Sequence, residues 1–377
     1  MSDEISRRTV LRNGSAGALS LGIAGLAGCT SSIPFIGGGD DIELDSWLFT
    51  PSLSDVFDDE DADPQEVTET NKQFTALVPE AVYENEDELI THYLLSVGSD
   101  LRNKTGVAAV DTDWIITQSI DWEYELDSSS YSRPRSGIAD VRIVAGDFDA
   151  GAVETDLEKW VDDEYNGSGG GGYGDDGTDD ETELEDAGSA PGFDLYEVEN
   201  FAFGVSEDYL IEAETSLDAV AVVEAAIDAY ENETGRWTEG DDGDKLLSEL
   251  ERGDYVSGEL HRPRTVETRL EDNGYDDPDE ASEEEREEAE EAIDDWESGL
   301  VGTTTTWNID GDTTDIQGVF LYESDGDTDS DALSEHVDAN RDYRQEWDTL
   351  EEYSISEAGR ALVLTGVRRT RTLHSSH

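Results

Sequence analysis

Apolar positions recur along the chain in two rhythms, one of three and four and one of two. Leu89, Ile90, Tyr93, Leu94, Val97 and Leu101 keep the spacing of one buried helix face. Val153, Leu157, Trp160 and Val161 do the same over residues 150–165, with Asp147 or Asp149 placed to cap the helix start. Leu217, Val220, Val223, Ile227 and Tyr230 predict a further amphipathic helix, and residues 244–251 a shorter one. Ala289, Ile293 and Trp296 share a face of a helix predicted over 280–298, and Leu333 with Val337 marks another. Runs rich in Ile, Val, Trp and Tyr predict strands at 114–125, 138–146, 255–261, 300–310 and 315–323. Residues 193–206 with 209–214, and 350–357 with 361–367, read as hairpins.

The order helix, strand, strand, helix, strand, strand occurs twice, over 80–214 and 280–367. Ile120-Asp121-Trp122-Glu123-Tyr124 parallels Thr305-Thr306-Trp307-Asn308-Ile309, and Val205-Ser206-Glu207 parallels Ile355-Ser356-Glu357. The expected fold class is α+β, built as two tandem units with mainly antiparallel sheets and helices on one face. The first unit spans 46–274, including an N-terminal extension that opens on Trp47-Leu48-Phe49 and connecting helices; the second spans 275–371. Residues 166–192 lack apolar periodicity and read as a glycine-rich insert. Gly167, Gly169 and Gly172 there satisfy a GxGxxG spacing, but no strand-to-helix turn surrounds them and Asp175-Asp176 would repel phosphate.

Charge changes how these elements are read. The chain carries 96 acidic and 23 basic residues, a net charge of −73. Acid at this density repels nucleic acid and every other polyanion, which excludes them as partners. Such charge also marks disordered chains, but 8 Trp, 14 Tyr and 9 Phe placed inside periodic segments are enough to build cores. The lysines are Lys72, Lys104, Lys159 and Lys245. Self-repulsion at this charge is severe in dilute buffer and mostly screened at molar salt, where the Debye length is roughly 3 Å. The carboxylate-rich, lysine-poor composition resembles that of proteins from extremely halophilic archaea, and the acidity reads as habitat.

The first 29 residues carry the sharpest signal. Arg7 and Arg8 lie in a charged stretch ending at Arg12, and residues 14–27 are apolar, small and uncharged. That run is shorter than the roughly 20 residues a spanning helix needs, so it reads as an export signal. It ends in Leu26-Ala27-Gly28-Cys29, and Cys29 is the single cysteine of the chain, so no internal disulfide can form. This segment resembles the signal peptides of haloarchaeal twin-arginine lipoproteins: Arg7 and Arg8 match the arginine pair, Leu11 the hydrophobic position, and Cys29 the lipidated residue. The resemblance implies a signal over 1–28, a lipidated flexible tether over 29–45, and a protein held on the extracellular face of the cell membrane by its lipid.

Chemistry is sparse. His92, His261, His336, His374 and His377 form no metal-ligand spacing, and no GxSxG elbow or cysteine nucleophile accompanies them. Asp325-Gly326-Asp327-Thr328-Asp329-Ser330-Asp331 alternates carboxylates as a calcium loop does, but the sixth position is Ser330 and the twelfth His336, where an EF-hand needs Gly and Glu. It reads as an acidic helix entry. No catalytic residue, metal site or cofactor is expected. Asn103, Asn166 and Asn232 each begin a glycosylation sequon. The expected function is a cell-surface lipoprotein of a halophile acting as a non-catalytic envelope or interaction module; the alternative is an extracellular solute-binding receptor of a transporter. The membrane, through the lipid, is the one partner the sequence names.

Overall fold

The computed structural model describes residues 42–51, 56, 64–85, 100–126, 135–166, 182–272, 275, 278, 281–340 and 350–370. They form a mixed helix and strand fold around one large antiparallel sheet. Its strands are β1 (Pro64–Leu77), β2 (Thr112–Leu126), β3 (Arg135–Gly146), β4 (Glu185–Ala190), β5 (Phe193–Val198), β6 (Phe201–Val205), β7 (Tyr209–Thr215), β8 (Tyr255–His261), β9 (Leu300–Asp310), β10 (Thr313–Tyr322), β11 (Glu352–Ala358) and β12 (Ala361–Arg369). The order across the twelve-stranded sheet is β11-β12-β10-β9-β8-β1-β2-β3-β7-β6-β5-β4. The α-helices among the described residues are α1 (Leu44–Trp47), α2 (Pro79–Glu84), α3 (Ala150–Glu164), α4 (Ala219–Asn232), α5 (Asp241–Ser248), α6 (Val266–Asp272), α7 (Glu283–Glu291) and α8 (Ser330–Asn340).

Period-two alternation splits the core into two layers. On β7, Leu210 belongs to one cluster and Ile211 to the other; on β3, Val144 and Ile143 divide the same way. Helix α3 buries Val153, Leu157 and Val161 in the first layer, beside Phe203 and Leu210. Its start is capped by Asp149, whose carboxylate accepts from the Ala152 amide at 3.2 Å. Helix α8 adds Leu333 and Val337 to that layer at the other end of the sheet. The opposite face is covered by α4, which buries Val222, Val223, Ala226 and Ile227, together with the segment from Leu44 to Phe49. Helix α5 continues that cover, setting Leu246 against Val301, Val319 and Leu321.

Two sequence expectations are corrected here. A single sheet runs through both supposed units, because β8 pairs with β1 on one side and β9 on the other. Helices also lie on both faces. The physical reason is that β2, β3, β7 and β10 are apolar on both sides, so each face of the sheet needs its own cover. The repeated order of elements nonetheless has a counterpart in space: β2-β3-β7-β6, with α3 between β3 and β6 in the chain, matches β9-β10-β12-β11, with α8 between β10 and β11. Trp122 and Trp307 fall on the corresponding strands β2 and β9 but face opposite layers.

Two strands carry little sequence signal. β1 is the centre of the sheet, yet besides Val67 its apolar side chains are confined to Phe74, Ala76 and Leu77 at its end. β4, inside the supposed insert, is an edge strand of mostly polar and small side chains running from Glu185 to Ala190. Between β1 and β8 the backbones need a small residue, since a Cβ on Gly258 would lie 2.5 Å from the Phe74 ring and 2.7 Å from Thr304.

Candidate functional site: a polar band on the central strands

Strand register aligns the side chains of β2, β1, β8 and β9 in rows. On the face that carries α3 and α8, the first row is apolar: Ile115, Leu77, Tyr255 and Trp307, all buried, with the last two rings 4.4 Å apart. The next row is wholly hydroxyl, Thr117, Thr75, Ser257 and Thr305. It is followed by Ser119, Gln73, Glu259 and Thr303, and then by Asp121, Asn71 and His261. Except for exposed Gln73, these polar side chains are half-buried, whereas Phe74, Ala76, Ile116, Ile120 and Val256 on the reverse face are buried. The centre of the sheet therefore carries a half-buried polar band on this face, closed at one end by the aromatic row.

Asn71 and His261 sit directly opposite each other on adjacent strands. Facing positions hold their Cβ atoms about 5 Å apart. The His261 Nδ1 lies 2.7 Å from the Arg262 carbonyl, which fixes the proton on Nδ1 and leaves Nε2 a bare acceptor. Burial pushes the His261 imidazolium below its usual range; the Arg262 carbonyl and the Glu259 and Glu297 carboxylates oppose that, while Arg264 adds to it. The ring is neutral at pH 7. Among the described residues, neither His261 Nε2 nor Asn71 Oδ1 has a hydrogen-bond partner, and both atoms are buried. Glu259 lies 3.8 Å from Nε2 and 3.4 Å from Arg264, and Arg264 also pairs with Glu297. On the other side of Asn71, burial and the neighbouring Asp140 raise the Asp121 carboxyl. The end of the band is thus rich in acceptors.

Elsewhere, charged groups are already committed to one another. Lys104 and Arg142 share Glu212, at 2.6 and 2.8 Å, with Arg142 also 2.9 Å from Asp100. The Lys104 ammonium sits 4.5 Å from the Phe201 ring centre and 5.5 Å from that of Trp160. An open depression beside α5 is walled by Asp241, Asp242, Asp244, Glu323 and Asp325, and its Arg360 pairs with Asp242 at 2.5 Å. On the reverse face Lys72 lies 5.8 Å from the Trp237 ring centre, and burial, opposed by Asp242, lowers its ammonium to about 8.

The sites named from the sequence distribute as follows. Arg7, Arg8, Leu11 and Cys29 lie outside the described residues, as do His92, His374 and His377. Asn103 is exposed, but its sequon partner Thr105 is buried with its hydroxyl donated to the Leu101 carbonyl. Asn166 is tied twice to Thr182, at 2.8 and 3.0 Å. Asn232 is exposed at the end of α4. The acidic loop at 325–331 behaves as a helix entry: Asp329 accepts from the Asp331 and Ala332 amides, and Asp327 from Ser324. Among the described residues, no group of three or more His, Cys, Asp or Glu is placed to hold a metal ion. His336 packs on Trp296, with ring centres 4.7 Å apart. The Asn71–His261 pair was missed; strand alternation places His261 with Glu259 and Ser257, but nothing local in the sequence points to Asn71.

No protein-family model matches the chain, and no curated protein matches it. Among solved structures, it aligns with TP0453 in crystal form I (TM-score 0.37, 8% identity, 86% of this chain and 95% of that one) and crystal form III (TM-score 0.35, 7% identity, 86% and 95%). A likeness of this size carries no argument about function. Among the described residues, no helix is long and apolar enough to cross a membrane.

Proposed function

We propose that the chain is a cell-surface lipoprotein of a halophile, held to the extracellular face of the membrane through Cys29, whose folded body is a non-catalytic envelope or interaction module. The observation that carries this reading is Leu26-Ala27-Gly28-Cys29 behind Arg7-Arg8, in a chain with no other cysteine. The test is fractionation of variants. Cys29→Ser is expected to release the protein or leave an uncleaved precursor, and Arg7→Lys with Arg8→Lys to block export. Wild-type protein recovered in the cytoplasm, or Cys29→Ser protein still processed and membrane-held, defeats the reading.

The halophilic part rests on the charge. As KCl is lowered from molar to roughly 0.1 M, the Debye length grows to about 10 Å and repulsion among surface carboxylates returns. The melting temperature followed by circular dichroism is expected to fall across that range; an unchanged value removes this part of the proposal.

A second reading, a solute-binding receptor of a transporter, is favoured by the polar band and its two unpartnered acceptors. Permease and ATPase genes beside this one support the receptor, and their absence supports the interaction module. We also read the two halves as diverged tandem units within the common sheet. The matching orders β2-β3-β7-β6 and β9-β10-β12-β11 support this, and superposition of residues 100–215 on 281–369 tests it.

A further inference from the structure

We propose that β11 is a pairing edge for a second copy of this chain, whose own β11 docks antiparallel to it about a two-fold axis through Ile355. The inference rests on the interaction-module reading and names its partner.

β11 closes one end of the sheet. β12 pairs with it on one side, and among the described residues no strand pairs with the other. A two-residue turn, Gly359-Arg360, joins Ala358 to Ala361, and a turn of this kind closes with a hydrogen bond between the residues it joins. Antiparallel strands then alternate. Ser354 and Ser356 bond to β12, while the amides and carbonyls of Tyr353, Ile355 and Glu357 point away from the sheet. Glu352, Ser354, Ser356 and Glu357 are exposed, so the edge is open. The opposite end of the sheet is built differently. At β4 the register with β5 shifts between Asp186 and Gly188, and the Asp186 carboxylate accepts from the Gly188 amide at 2.9 Å. Such a kink keeps an edge strand from being copied. β11 has no device of this sort: it pairs with β12 over all seven residues without a register shift and contains no proline or lysine.

The sequence of β11 selects the occupant. Ile355 is its middle residue, and Ser354-Ile355-Ser356 reads the same in both directions, as a two-fold antiparallel contact favours. Pairing about Ile355 sets that residue against its equivalent, Ser354 against Ser356, Tyr353 against Glu357 and Glu352 against Ala358. No carboxylate faces another, and outward amides of one copy meet outward carbonyls of the other. The adjoining surface suits a close approach. Ser354, Ser356, Val363, Thr365 and Val367 share one face of β11 and β12 as an uncharged patch with Glu352 at its rim, in a chain that carries 96 acids. Thr365 and Val367 are exposed there. A patch without charge on so acidic a surface is where a second such surface can come near, and at molar salt the remaining repulsion is screened within roughly 3 Å.

The test uses the full-length chain carrying Cys29→Ser, so that an introduced cysteine is its single thiol, in molar KCl. Sedimentation equilibrium is expected to give twice the chain mass. Glu357→Pro removes an outward amide from the seam and leaves the bonds to β12 in place. It is expected to raise the dissociation constant of the dimer at least about tenfold without lowering the melting temperature. Glu357→Ala, which keeps the amide, should leave the dimer intact. Oxidation with copper phenanthroline in air reads the register. Ser354→Cys chains mixed with Ser356→Cys chains should form a disulfide between copies, because those positions face each other. Ser354→Cys alone should cross-link far less, since its equivalents lie diagonally across the seam, about 7–8 Å apart.

A monomer at every concentration overturns the proposal, as does a dimer that folded Glu357→Pro does not weaken, or a mixture that forms no disulfide. If Glu357→Pro lowers the melting temperature, the cysteine pair decides alone. Assemblies that grow beyond two copies also overturn it, because they need β11 to meet a different surface. None of these outcomes bears on anchoring, which fractionation decides separately.

Discussion

Trp122→Ala is expected to lower the unfolding free energy by about 3–5 kcal/mol, the usual loss for truncating a fully buried indole. Trp122 is completely buried and stands opposite Gly137 on β3. It packs in the layer closed by α4, with Trp47, Ile120 and Ile143 in the same cluster. Alanine there leaves a cavity that a continuous sheet cannot close by local collapse. The indole N–H has no hydrogen-bond partner, so Trp122→Phe loses packing volume but no hydrogen bond and should cost much less. Denaturant titration at fixed molar KCl measures both. A Trp122→Ala loss below about 1 kcal/mol would show that the ring is not a closed part of the core.

Glu212→Ala is expected to be of similar size, about 3–5 kcal/mol, for a different reason. Glu212 is only 5% exposed and is the shared counter-ion of buried Lys104 and half-buried Arg142. Removing it leaves Lys104 and Arg142 with Asp100, whose side chain is about half exposed and lies 3.5 Å from the ammonium. The contacts of Lys104 with Phe201 and Trp160 do not replace a carboxylate. The matched control is the combined change Lys104→Met, Arg142→Leu, Glu212→Leu, which removes the charges together and should cost far less than the single change. If the triple variant is the less stable of the two, the network is not balanced as described. Burial pushes the Asp100 carboxyl up, but Arg142 and Lys104 outweigh it and hold the group below the usual range. Its contribution is therefore present above the ordinary carboxylate range and fades as pH falls through the lowered value.

How much of this was legible in the sequence depended on whether an element buries a face of its own. β2, β3 and β10 were readable because their apolar residues fall in dense runs, β9 through its β-branched threonines around Trp307, and α3 and α4 because each keeps one buried stripe. β1 was not, although it is central, because one of its faces is the polar band and its apolar residues are Val67 and, at its end, Phe74, Ala76 and Leu77. The same alternation hid the candidate site. A strand that is polar on one face looks, residue by residue, like a loop. The unity of the sheet was illegible for another reason: it depends on β1 meeting β8, a pairing between segments far apart in the chain that no local pattern encodes.

That pairing constrains how the protein can be made. β1 leaves the ribosome early and finds β2 soon after, but its other edge, from Asn71 to Leu77, has no partner until Tyr255–His261 has been synthesised. Throughout the intervening synthesis the nascent chain carries an open strand edge, the kind of feature that invites pairing with other chains. Closure of the sheet at this edge is therefore a late event, and any nascent fragment ending before β8 is an unfinished sheet that must be kept apart from its neighbours.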